Sequence, residues 1–230
     1  MPRARANGIE LEYDSLGRPG DPTLLLVMGF GAQLIHWYEG FCESLAAHRL
    51  RVVRFDNRDA GLSTQLDGVP TPDLAQVLKA VAAGETPTVP YTLSDMRPDV
   101  ARRHRARGRG GAGPGHLPGA GQPGLPARRG GGARVRGASL RPRRPPRRQP
   151  RQLLAVAVTG SRLEQLACLR VPTLVIHGTA DPIMSIEGGR ATAAAIPGAQ
   201  MLEIEGLGHD LPRELWPTIA DAIAKHTERG

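Results

Sequence analysis

The sequence predicts an α/β fold with a mostly parallel sheet, on three observations. Short apolar runs alternate with amphipathic stretches at helical spacing. The runs are bounded by Gly, Pro and Asp clusters, as strand ends are. The same alternation stands on both sides of a middle segment of quite different composition.

Taken in order, residues 9–14 (IELEYD) alternate apolar and polar, which suits an edge strand. Residues 23–28 (TLLLVM) form a continuous apolar run ended by Gly29, which suits a strand buried on both faces. Trp37, Phe41 and Leu45 mark one face of a helix over 37–48. Residues 51–55 (RVVRF) form the next strand, ending at Asp56. A Thr-Pro-Asp start signal opens a helix over 73–83. Beyond residue 150, helices are expected over 162–169, 187–196 and 214–225, and strands over 173–176 and 201–204. No internal repeat is present.

Residues 97–150 break this texture. The segment holds 15 Arg, 12 Gly and 9 Pro, with Asp99 as its one acid, so it carries +14. The whole chain of 230 residues carries +8, and the remainder is therefore acidic. The segment's few larger apolar residues have neither helix nor strand period, so it is expected to be disordered. The chain accordingly divides into an N-terminal part (1–96), the Arg/Gly/Pro-rich segment (97–150) and a C-terminal part (151–230).

The high basic charge would ordinarily point to nucleic acid, but it is confined to this one segment. The segment has no aromatic residue to stack on bases, so no specific nucleic-acid partner is expected. Cys42 and Cys168 have no metal or CxxC spacing and are expected to be free, buried thiols in a reducing compartment. MPRARANG lacks the apolar core of a signal peptide, and apolar runs such as Leu24–Met28 are too short to span a bilayer. A cytoplasmic protein with no membrane partner is expected.

Ligands of parallel α/β sheets bind beyond the carboxyl ends of the strands, and four such ends carry polar loops. Gly29-Phe30-Gly31 can turn tightly and expose backbone N–H groups, which suits oxyanion stabilisation as well as a plain turn. Asp56-Asn57-Arg58-Asp59-Ala60-Gly61-Leu62-Ser63 is dense in charge and is expected to tie itself down internally. Asp181 follows the strand ending near His177, and His209 follows the next. A carboxylate and an imidazole on neighbouring strand tips can pair through Nδ1–H, leaving Nε2 as a general base.

LLLVMGFGA, VVRFDNRDAGLST, VPTLVIHGTADPI and IEGLGHDLP together resemble the α/β-hydrolase superfamily, and within it small bacterial ester hydrolases related to the anthracycline (aclacinomycin) methyl esterases. The resemblance covers residues 7–96 and 151–226. It implies hydrolysis of a carboxylic ester on a small-molecule substrate, with no cofactor and no metal. It implies Asp181 as the triad acid, His209 as the base and the Phe30 N–H as an oxyanion donor. Met28 departs from the His common before the first glycine, which a backbone donor tolerates.

The family's nucleophilic Ser sits in Gly-x-Ser-x-Gly on a strand-to-helix elbow. Its place would be near residues 120–126, which read AGQPGLP, with no Ser and with prolines that oppose strand and helix alike. Ser139, in Gly-Ala-Ser-Leu-Arg-Pro, lacks the second glycine and is followed by the helix-stopping Pro142. The chain therefore lacks a credible nucleophile, and the central strands, elbow and cap are missing or replaced. Arg, Gly, Pro and Ala are the residues of GC-rich codons, so an out-of-register reading joined to a deletion accounts for the segment. Losing central strands removes burial worth about 15–30 kcal/mol, more than the roughly 5–15 kcal/mol net stability of a domain. The expectation is a truncated, inactive serine hydrolase that folds poorly. Two alternatives stand beside it: an Arg/Gly-rich nucleic-acid-binding protein, and a hydrolase of the same fold with epoxide or haloalkane chemistry.

Overall fold

The computed structural model describes residues 2–101 and 149–228. Most of the Arg/Gly/Pro-rich segment, with residues 120–126 and Ser139, lies outside them.

The N-terminal part begins with a hairpin, β1 (Arg3–Ala6) and β2 (Ile9–Leu16), joined through Asn7-Gly8. Both turn residues have positive φ, 50° and 78°. Asn-Gly is the dipeptide that favours such a turn, but β1, with its RARA composition, was not expected, and its pairing corrects the edge position expected for β2 to an interior one. β3 (Thr23–Leu26) and β4 (Arg51–Phe55) follow, giving a sheet of order β1-β2-β4-β3. β3 pairs with β4 in parallel, and β1 and β2 add antiparallel pairs at the other side. Strand β3 ends two residues before the expected Met28.

Helix α1 (Glu39–Ala47) buries Phe41 and Leu45 of the expected face, with Cys42 beside them, while Trp37 lies ahead of the helix at the end of a 3-10 turn. Helix α2 (Leu74–Ala82) is capped by the Asp73 carboxylate, which accepts from the Gln76 N–H. Helix α3 (Leu93–Ala101) starts in a reciprocal cap, the Thr92 N–H donating to Asp95 and the Asp95 N–H donating to Thr92 Oγ1. Its last residues extend into the segment drawn from 97, and helix α4 (Gln149–Ala157) begins within that segment's end.

The C-terminal part runs α5 (Leu163–Ala167), β5 (Leu174–Gly178), α6 (Ile186–Ala195), β6 (Gln200–Ile204) and, after a 3-10 turn at Arg213–Leu215, α7 (Trp216–Thr227). β5 and β6 form a parallel pair. Among the described residues this pair shares no strand pairing with the four-stranded sheet. The two parts meet through side chains instead. Leu26, Phe41, Cys42, Leu45, Val52, Ile219 and Ala220 form one buried cluster, against which Ile176, Ile204 and Trp216 pack. Tyr38 stacks on Trp216, and Phe41 tilts against it.

Both cysteines are free. Cys42 is buried as expected. Cys168 is exposed, a correction to the sequence reading, because it caps the C-terminus of the short helix α5, none of whose residues is buried. No helix among the described residues is long and apolar enough to cross a membrane.

Candidate active site

The parallel register sets Gly178, the last residue of β5, opposite Ile204, the last of β6. The two following loops therefore start level, and their backbones knit together. The Thr179 N–H donates to the Ile204 carbonyl and the Ala180 N–H to the Leu207 carbonyl, each at 3.0 Å. The Gly206 N–H donates to Thr179 Oγ1 at 2.9 Å. Glycine at 178 permits this approach, since a Cβ there would lie 2.1 Å from the Leu207 carbonyl oxygen.

This knit brings Asp181 to His209, 28 residues apart in sequence. His209 Nδ1 lies 2.7 Å from Asp181 Oδ2. A carboxylate can only accept here, so Nδ1–H donates and the neutral ring carries its lone pair on Nε2. The other Asp181 oxygen accepts from the Ile183 and Met184 N–H groups at 2.8 and 2.9 Å. Partial burial opposes ionisation, but the Met184 amide, His209 and the Ile183 amide together bring the carboxyl down to about 2. The Asp181 side chain is 7% exposed and that of His209 49%. The acid is thus enclosed and fixed while the imidazole stands at the surface.

His177, at the end of β5, faces a different task. Its Nε2–H donates to the Met184 carbonyl at 2.9 Å, which props the turn that holds Asp181. His209 lines an open cleft of about 600 Å³ with Ala180, Pro182, Gly206, Gly208 and Leu215 on its walls. Glu205 and Asp210 also line it, so its rim is acidic.

The glycine loop after β3 is built differently. The Met28 carbonyl accepts from Asn57 Nδ2 at 2.9 Å, and the Gly31 N–H donates to Gln152 Oε1 at 2.8 Å. No described residue accepts from the Phe30 N–H, and the Phe30 side chain is half exposed. Phe30 is not among the residues lining the cleft at His209. The structure therefore brings Asp181 and His209 together and leaves Phe30 on a separate loop.

Among the described residues no Ser, Thr or Cys side chain hydrogen-bonds to His209. Ser63 is spoken for in the loop after β4: its hydroxyl donates to the Asp56 carbonyl and accepts from the Glu12 N–H. No cluster of three or more His, Cys, Asp and Glu among them is placed to hold a metal ion.

The residues missed by sequence reasoning are Arg151 and Gln152. The buried Gln152 amide spans two loops, accepting from Gly31 and donating to the Arg58 carbonyl at 2.7 Å. Arg151 donates to the Leu66 carbonyl and faces Asp59 at 3.6 Å. Their position at the return to ordinary composition was the only available signal.

Comparison with known proteins bears on the fold and on the C-terminal part. A family model described as TAP-like protein, one of the α/β-hydrolase families, matches residues 152–228. A rhodomycin D methylesterase of Streptomyces sp. (strain C5) is 40% identical over 67 residues, which are 29% of this chain. That of Streptomyces peucetius is 39% identical over the same length. The matched stretch spans only 22% of either relative. Among solved structures, a thermophilic esterase from Thermogutta terrifontis aligns over 100% of this chain and 99% of its own, with a TM-score of 0.58 at 18% identity. A hydrolase from Pseudomonas aeruginosa aligns over 97% and 96%, also at 0.58 and 18%. The chain has the α/β-hydrolase fold and resembles esterases of that superfamily.

Proposed function

We propose that this chain is a carboxylic ester hydrolase scaffold whose acid–base pair is Asp181 and His209, whose oxyanion donor is the Phe30 N–H, and whose nucleophile is missing. The 2.7 Å contact between His209 Nδ1 and Asp181 carries the reading. In a complete enzyme of this kind, His209 Nε2 takes the proton of a serine hydroxyl as the oxygen attacks the ester carbonyl. Asp181 holds the ring in the right tautomer and balances the imidazolium that forms. The Phe30 N–H meets the developing oxyanion, a contribution of about 2.7–4 kcal/mol in enzymes where such a donor has been removed. His209 then protonates the departing alkoxide, and water completes the cycle by the same route.

The substrate in this reading is a small-molecule ester, in line with the esterase relatives. Free Cys42 and Cys168 fit a reducing, cytoplasmic setting. Without an attacking serine the chain has negligible serine-hydrolase activity. Incubation with a fluorophosphonate tests this: no covalent adduct is expected, and a labelled side chain whose replacement abolishes the adduct overturns it. Translation of the other two frames of the gene tests the origin of residues 97–150. A Gly-x-Ser-x-Gly in one of them is the expected finding, and its absence counts against a misread frame.

A further inference from the structure

We propose that His209, held by Asp181, is itself a slow nucleophile toward activated aryl esters of short, uncharged acids, which react in the cleft it lines. The inference rests on reading Asp181 and His209 as the acid–base pair, and goes beyond it by giving the imidazole the attacking role.

Three features of the site support it. The Nδ1–H bond to Asp181 leaves the lone pair on Nε2, and no described residue hydrogen-bonds to that atom. The His209 side chain is half exposed beside an open cleft of about 600 Å³ walled by Ala180, Pro182, Gly206 and Gly208, so a small acyl group can approach. Asp181 is enclosed and fixed by two backbone N–H groups, so its charge stays beside the ring as positive charge develops there.

The chemistry balances without a further reactant except water. Nε2 attacks the acyl carbon, and the tetrahedral intermediate collapses with cleavage of the bond to the aryl oxygen. The aryl oxide leaves with that electron pair. The acyl-imidazolium places its positive charge against Asp181. Water then adds to the acyl carbon and gives up a proton to solvent, the C–N bond breaks, its electrons return to Nε2, and the acid formed releases a second proton to solvent. Imidazole departs from the intermediate more readily than an alkoxide does, so alkyl esters return to starting material and only good leaving groups turn over. The carboxylates of Glu205 and Asp210 on the rim disfavour anionic acyl groups.

The test uses the full chain with p-nitrophenyl acetate, p-nitrophenyl succinate and methyl acetate, free imidazole at equal concentration serving as the reference. His48, whose Nε2 pairs with Asp221 at 3.0 Å far from the cleft loops in sequence, supplies a second imidazole–carboxylate pair as control. The acetyl ester is expected to react roughly tenfold faster with the protein than with imidazole. H209A is expected to fall to background, D181N to lose several-fold, and H48A to be unchanged. Rapid acid quenching during turnover should leave an acetyl adduct in the intact mass of the wild type and none in that of H209A. H209Q, checked by circular dichroism, replaces H209A if the alanine variant fails to fold. Equal rates for the wild type and both His209 variants, with no fluorophosphonate adduct, overturn this inference and leave the proposed scaffold reading standing. Acetyl and fluorophosphonate together on one serine overturn both. Turnover of methyl acetate overturns the histidine route.

Discussion

Asp181 ionises more readily in the fold than a free carboxyl does. Its folded pKa of about 2 lies below its ordinary 3.8, so the ionised form is favoured in the native state. The linked stabilisation is complete above about pH 4 and is lost as pH falls toward 2. D181N should therefore be less stable than wild type at neutral pH, with the gap closing between pH 4 and 2. Acid-unfolding curves of the two proteins check this, and a gap unchanged at pH 2 would count against the amide and imidazole contacts as its cause. The two cysteines differ as sharply. Burial pushes the Cys42 thiol up to about 11, against the pull of the nearby Arg54, so at neutral pH it stays protonated. Cys168 is exposed. Iodoacetamide should modify Cys168 alone in the native protein and both after unfolding, as read by peptide mass.

Between elements, the loop after β4 is the main junction. Asp56 accepts from the Leu34 and Leu62 N–H groups at 2.7 and 2.9 Å. Arg58 forms a two-pronged ion pair with Asp99 on α3 at 2.7 and 2.8 Å, both side chains being buried. On the far side of the Arg/Gly/Pro-rich segment, Arg151 and Gln152 on α4 close onto the same loop. D99A leaves Arg58 buried without its counter-ion and should destabilise the N-terminal part by about 3–5 kcal/mol, measured by urea titration followed by hydrogen exchange. The knit between the loops after β5 and β6 is equally unforgiving. A methyl group at Gly178 would press on backbone, which cannot rotate away. Gly178→Ala should cost about 1–3 kcal/mol and part His209 from Asp181, seen as a lost Nδ1–H resonance in proton NMR.

At the scale of the molecule, the described residues form two separately hydrogen-bonded sheets, held together by apolar packing centred on α1 and α7 and by the Arg151 and Gln152 contacts. Packing of that kind couples the parts less rigidly than a shared strand ladder. The β2–β4 and β5–β6 amides should therefore lose exchange protection at different urea concentrations. One coincident transition would show tighter coupling than the strand pairing provides. Gly40 lies against Trp216, and a Cβ there would come within 2.6 Å of the ring. Gly40→Ala should widen the separation between the two transitions by loosening α1 from α7.

Much of this architecture is local information. RVVRF and the run beginning TLLL define their strands by hydrophobic pattern, and Asp73 starts its helix by a cap formed within one turn. The hairpin at Asn7-Gly8 and the reciprocal cap of Thr92 and Asp95 were equally local, though carried by two or four residues rather than by periodicity. The Asp181–His209 pairing was also open to inference, because neighbouring parallel strands must place their following loops side by side. Other contacts depend on where the whole chain closes. Gln152 reaches Gly31 across 121 residues, and Arg58 meets Asp99 across 41, with no periodic signal to announce either. Polar side chains of this kind take partners from whatever backbone groups burial leaves unsatisfied. Local pattern thus determined most of the strands and the loops that follow them, while tertiary closure alone decided which buried charges and amides hold them together.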